Sequence, residues 1–151
     1  MVENQSNNYV EQARVSVFGA GNAGLTAAFH FTQHGAQVAL YGSKGFDDQI
    51  HAISVEGGIK SLSEYGNAKL HFSGFEHIDL VTTNVQQAVE YSDVLVLPVP
   101  SFAQGPLFRE LLPFLTSGQI IVLMPGNYGS LELTKIKNSE GYGSLDITFV
   151  D

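Results

Sequence analysis

Apolar residues enter this chain in short dense runs, separated by stretches where they recur every three or four residues. The first run, at 13–18, reads Ala-Arg-Val-Ser-Val-Phe and predicts a buried strand. Over 22–34, Leu25, Phe29 and Thr32 share one face at helical spacing, while Ala23, Ala27 and Ala28 keep the helix slim. Gly35 suits the position just past its end. Residues 37–41 predict a second strand, completing a βαβ unit with a right-handed crossover. The segment 46–75 breaks this rhythm. It predicts a short helical or coiled piece at 46–51, then small strands or a hairpin from weak alternation at 52–55, 58–62 and 68–72. Residues 80–83 form the third main strand and run into a short helix over 85–91. The run at 94–99 is continuously apolar, as suits a central parallel strand, with Pro98 and Pro100 at its end where no ladder donor is needed. A helix over 102–115 points Leu107, Leu111 and Leu112 inward. A strand at 119–124, a turn at 125–129, a helix at 130–137 with Ser130 as candidate N-cap, and a sixth strand at 145–150 complete the chain. The fold class is α/β: one doubly wound, mostly parallel sheet with a small β insertion after strand two.

The turn between the first strand and its helix changes the picture from fold to function. Gly19, Ala20, Gly21, Asn22, Ala23 and Gly24 spell G-x-G-x-x-G. Between a buried strand and an alanine-rich helix, this is the fingerprint of a Rossmann-type dinucleotide-binding domain. Gly19 allows a tight exit from the strand. Gly21 removes a Cβ that would obstruct a pyrophosphate, and Gly24 lets the helix pack closely on the sheet. The helix N-terminus offers N–H groups and its positive dipole end to the phosphates.

Composition narrows the partners. The 151 residues suit one domain, with a polar tail at 1–12 and the dinucleotide-binding domain at 13–151. The net charge is −8 without any basic run, which argues against nucleic acid. Cysteine is absent, so there is no disulfide, no thiolate nucleophile and no thiolate metal site, which fits a cytoplasmic protein. No apolar run approaches the roughly 18 residues of a membrane span. The N-terminus has no signal-peptide pattern, so no membrane partner is expected.

Cofactor choice turns on the end of the second strand. An acidic residue about 20 residues beyond the glycines binds the ribose 2′-hydroxyl in NAD-selective sites. Here that place holds Leu40-Tyr41-Gly42-Ser43-Lys44, with no carboxylate. Ser43 and Lys44 are instead suited to donate to a 2′-phosphate, which favours NADP over NAD. Tyr41 has two readings, a cover for the adenine or a strand-end packing residue. Pro98, Val99, Pro100 and Ser101 lie at the carboxyl end of the central strand, where ligands sit in such folds. Ser101 is a site candidate there or an N-cap for the next helix. Ser16 and Ser101 have no identified base. Asp47 and Asp48 read as a solvated loop. His30, His34, His51, His71 and His77 are scattered without metal-ligand spacing. No catalytic residue is identified.

Three segments in this order form a further set. They are the Gly19–Gly24 turn, the Pro98-Val99-Pro100-Ser101-Phe102-Ala103 strand end with Pro106-Leu107, and Leu123-Met124-Pro125-Gly126 followed by Gly129 and Leu131-Glu132. From about residue 14 to 150 the chain resembles the N-terminal domain of the NAD/NADP octopine/nopaline (opine) dehydrogenase family. The resemblance implies an oxidoreductase that joins an amino acid to a 2-oxo acid and reduces the imine with NAD(P)H. It also implies a second, helical substrate domain carrying the catalytic His, which this chain is expected to lack. The chain departs from the family at Gln104, where a His is common, and at Asn127-Tyr128, where a small or basic residue is usual. Without its partner domain, the chain is expected to be inactive and to expose an apolar docking face, which would favour a homo-oligomer. Two other readings stand beside this one. The first is a non-catalytic nucleotide-binding or redox-sensing module. The second is the cofactor domain of an enzyme like ketopantoate reductase or glycerol-3-phosphate dehydrogenase.

Overall fold

Strands buried on both faces need helices above and below, and the computed structural model, which describes residues 13–61 and 73–151, has that arrangement. The first unit is β1 (Arg14–Phe18), α1 (Asn22–Gln33) and β2 (Gln37–Tyr41). Next come α2 (Asp47–Glu56), the antiparallel pair β3 (Gly58–Ser61) and β4 (Gly74–His77), and β5 (Leu80–Thr82). The second half runs α3 (Val85–Glu90), β6 (Val94–Leu97), α4 (Ser101–Leu111), β7 (Ile120–Leu123), α5 (Gly129–Ser139) and β8 (Thr148–Val150). The six-stranded sheet has the order β5-β2-β1-β6-β7-β8, and every neighbouring pair is parallel. This is the doubly wound Rossmann topology, with its strand order reversing between β1 and β6.

The period-two alternation of the strands divides the core. Val15 and Val17 of β1 pack with Ala28, Val38, Leu40, Ile50 and Val96 under α1 and α2. Phe18, Leu95, Leu97 and Ile121 face the other way, against Val89, Leu107, Phe108, Leu111 and Leu133. Ser16, between the two valines, is fully buried and donates to the carbonyl of Ala88 at 2.7 Å. It is part of the core's hydrogen bonding, which also includes the Ser92 hydroxyl at 2.9 Å.

Several expected elements take a different form. Residues 52–55 continue α2 rather than forming a strand. Asp47 and Asp48 sit in its first turn, where acidic groups complement the helix dipole. Gly57, with φ +75, ends the helix in a left-handed cap. Ile50 and Ile53 face the core while Val55 stays exposed, and this incomplete stripe is why the segment imitates weak alternation. The hairpin expected after strand two exists, but its second strand is Gly74–His77. The strand expected at 68–72 and the polar tail at 1–12 lie outside the described residues. The helix expected to reach residue 115 gives way after Leu111 to a 3₁₀ turn, Leu112–Phe114, because Pro113 has no N–H to continue the α pattern. Strand six is confined to Thr148–Val150. Among the described residues, no helix is long and apolar enough to cross a membrane.

Candidate cofactor-binding cleft

The carboxyl ends of β1, β2 and β6 leave a cleft of about 500 Å³ at the point where the strand order reverses. Its floor is the glycine turn. Gly19 has φ +142, and its N–H donates to the Tyr41 carbonyl at 2.9 Å. A Cβ there would meet Val99 Cγ1 at 3.0 Å. Gly24 lies so close to β1 that a Cβ would stand 1.7 Å from the Gly19 carbonyl oxygen. Both glycines are therefore required by the fold itself.

Gly21 is different. Its φ of −77 and ψ of −179 suit any residue, and a Cβ would meet nothing nearer than Phe46 Cε1 at 3.9 Å. The folded chain has no need of a glycine at this position. The space above it belongs to the cleft, which Gly21 lines. Gly21 is also the N-cap of α1 and supplies no side-chain acceptor, so the first-turn N–H groups remain available to an anion. The residues present thus fit a pyrophosphate. Ala20 is buried, and Asn22 and Ala23 are exposed in the first turn of α1.

The β2 side of the cleft is built by Tyr41, Ser43 and Phe46. Tyr41 is buried against Phe18, with ring centroids 5.4 Å apart, and its hydroxyl donates to Glu110 Oε2 at 3.2 Å. Burial pushes the Tyr41 hydroxyl up to about 12, helped by the Glu110 charge and by the hydrogen bond it gives to that carboxylate. The strand-end packing reading of Tyr41 is therefore met, and the residue also faces the cleft. Gly42 is closed off: a Cβ would fall 2.3 Å from Ile50 Cγ1. Lys44 is exposed and does not line the cleft. Asp47 accepts from the Gly45 N–H at 3.1 Å and so ties the β2–α2 loop to the start of α2.

The opposite wall starts at Pro98, Val99 and Pro100, directly after β6, and continues along α4 through Phe102, Ala103, Pro106, Leu107 and Glu110. Ser101 is not an N-cap. Pro100, extended at ψ 147, holds that position and α4 begins at Ser101. The Ser101 hydroxyl instead accepts from Asn127 Nδ2 at 3.1 Å. Ser130 is likewise inside its helix. Tyr128, left-handed at φ 60, is the N-cap of α5, and the Ser130 N–H donates to Asp151 Oδ1 at 3.0 Å. Gln104 is buried and donates to the Pro125 carbonyl at 2.7 Å, joining the β6–α4 and β7–α5 connections. His30, His34, His51 and His77 stay apart from the cleft lining, His71 lies outside the described residues, and among the described residues no group of three side chains suits a metal ion.

Sequence reasoning missed Phe46 and the α4 wall. The signal for the wall was present: Phe102, Pro106 and Glu110 recur every four residues directly after a strand end, which places them on one helix face. Phe46 carried no such signal, because it heads a weakly amphipathic helical piece whose facing the pattern left open.

Known proteins share this architecture. The family model described as NAD-dependent glycerol-3-phosphate dehydrogenase N-terminus matches residues 14–127. An opine dehydrogenase of Arthrobacter sp. (strain 1C) is 28% identical over 139 residues, covering 91% of this chain and 36% of that protein. A glycerol-3-phosphate dehydrogenase [NAD(P)+] of Bacillus subtilis (strain 168) is 29% identical over 110 residues, covering 72% of this chain and 29% of its own length. The structure of octopine dehydrogenase with NADH and pyruvate superposes with a TM-score of 0.70 at 19% identity, covering 91% of this chain and 35% of that one. This chain therefore spans about a third of the length of the curated relatives it matches. It belongs to the family described as NAD-dependent glycerol-3-phosphate dehydrogenase N-terminus, and it is a Rossmann-type NAD-binding domain resembling those of opine and glycerol-3-phosphate dehydrogenases.

Proposed function

We propose that this chain is the cofactor half of an NADP-preferring oxidoreductase most like the opine dehydrogenases, acting on an amino acid and a 2-oxo acid. Gly21 carries the cofactor part of this reading: beyond its place as N-cap of α1 the fold sets no φ or steric demand for glycine there, and the missing Cβ leaves room for something entering the cleft. The N–H groups of the turn from Gly19 to Gly24 would hold the pyrophosphate. Ser43, at the rim, and Lys44, on the adjoining loop, would take a 2′-phosphate. Pro98, Val99, Pro100 and Ser101 would border the nicotinamide half. When bound, the reduced nicotinamide supplies a hydride. The chain's own residues bind it, orient it and cover one face.

The preference for NADP is supported by Gly42, where Ile50 fills the space that a side chain on the strand end would need. The reaction class is supported by the Arthrobacter relative, whose similarity extends over 91% of this chain. A glycerol-3-phosphate dehydrogenase reading also has support, from the family model and the Bacillus relative. Fluorescence titration with NADPH and NADH tests the cofactor assignment. NADPH should bind more tightly, and tighter binding of NADH would overturn the NADP preference. Assays of a full-length protein carrying this domain would separate the reaction classes. Oxidation of NADPH with an amino acid and a 2-oxo acid supports the first, and with dihydroxyacetone phosphate the second.

A further inference from the structure

We propose that Glu110, anchored by Tyr41, reads the exocyclic amino group of the cofactor's base and so selects adenine. The proposal rests on the nucleotide-binding reading above. A dinucleotide laid across the switch point, with its pyrophosphate at the α1 N-terminus, places its adenosine half toward the end of β2. The cleft on that side has apolar walls, Phe46 from the α2 side and Pro106 with Leu107 from α4. Such walls suit a flat heteroaromatic ring, and a ring between them needs a polar group at its edge to fix its orientation.

Glu110 is the charged residue of the cleft lining among the described residues. Glu110 is exposed at the rim of the cleft, where its carboxylate stays open to a donor on an entering ring. Tyr41 supplies one anchor, donating to Oε2 at 3.2 Å. The carboxylate keeps acceptor capacity for more, having about four lone-pair sites in all. Adenine presents a 6-amino donor on its edge. Hypoxanthine presents a carbonyl oxygen at the same atom, so two acceptors would face each other. Its N1–H lies one ring position away, and recruiting it would require the ring to slide in its slot.

The test is to titrate this chain with NADPH and with reduced nicotinamide hypoxanthine dinucleotide phosphate, following cofactor fluorescence. The adenine form should bind about tenfold more tightly, which corresponds to about 1.4 kcal/mol. Glu110→Gln turns an acceptor into a group that also donates. It should weaken the adenine form and strengthen the hypoxanthine form relative to the unmodified chain. A gain for one base cannot come from a damaged fold. Tyr41→Phe leaves the charge but removes its anchor, and should shrink the discrimination. Equal affinity of the two forms for the unmodified chain, or parallel loss of both in Glu110→Gln, overturns the base reading and leaves the nucleotide reading standing. Failure of both dinucleotides to bind overturns the nucleotide reading itself.

Discussion

Three glycines that look alike in sequence separate into two physical kinds. Gly19 and Gly24 are demanded by the protein, one by a positive φ and the other by a carbonyl oxygen where a Cβ would sit. Gly21 is demanded by neither. The substitutions should therefore behave oppositely. Gly24→Ala forces α1 away from β1 and should cost about 1–3 kcal/mol or more, the range for overpacking a tight contact. It should appear as a lowered midpoint in urea. Gly21→Val should cost no more than about 1 kcal/mol, the worth of an N-cap residue, yet abolish cofactor binding. Unchanged affinity in Gly21→Val would sink the pyrophosphate assignment. Tyr41 gives a second test at this scale. Its hydroxyl titrates near 10 when unfolded and at about 12 when folded, raised by burial and by Glu110. Between those values the folded state holds a proton that the unfolded state has lost, so stability falls as pH rises from about 10 to 12. In Tyr41→Phe that part of the alkaline decline should be absent from denaturation curves recorded across the window.

Strands and helices were legible to the extent that their apolar residues repeated. β1, β2, β6 and β7 are buried on both faces and stand out as dense runs. α2 did not stand out, since its apolar stripe is only Ile50 and Ile53; its acidic first turn, Asp47 and Asp48, and the glycine at its end, Gly57, would have been the better guide. The glycine turn was legible because its chemistry is local. The α4 wall was not, because only the fold brings Glu110 to Tyr41, 69 residues away in sequence. Elements also depend on single side chains that pattern alone does not reveal. Lys137, near the end of α5, is buried and donates to the carbonyls of Tyr142, Gly143 and Leu145 at 3.4, 3.2 and 2.6 Å. It folds the chain back toward β8. Lys137→Met keeps the length of the side chain and removes the donors. It should lower stability by about 1.5–3 kcal/mol, the range for hydrogen bonds given by a charged group. It should also release protection of amides in 142–150 from hydrogen exchange before those of β1 and β6. On the β2–α2 loop, Lys44→Ala should weaken NADPH by something like 1.5–3 kcal/mol, the worth of a charge-assisted contact, and leave NADH nearly unchanged. Equal effects on the two cofactors would remove Lys44 from the 2′-phosphate site.

At the scale of the molecule, the cleft is one-sided. Its β2 half has a shaped wall and an anchored carboxylate, whereas toward β7 the lining ends at Pro98, Val99 and Pro100, beyond which Ser101 accepts a hydrogen bond from Asn127. Reduction of an imine needs the hydride donor and acceptor carbon held in near-attack geometry, with a group placed to manage the proton. Among the described residues the titratable groups lining the cleft are Tyr41 and Glu110, bonded to each other on the β2 side. The same edge carries large apolar side chains in the open, with Phe102, Tyr128 and Leu131 exposed by 84%, 80% and 70%. An exposed apolar edge beside the cleft is what a covering domain would bury. The 151-residue chain should therefore bind NADPH but fail to oxidise it with any pair of amino acid and 2-oxo acid. It should also associate with itself as concentration rises, and Leu131→Lys should shift that equilibrium toward monomer without changing NADPH affinity. Sedimentation velocity and stopped-flow absorbance at the nicotinamide band read these outcomes separately. Turnover by a monodisperse monomer would mean that the proton-handling group lies within these residues, and the cofactor-half reading would fall.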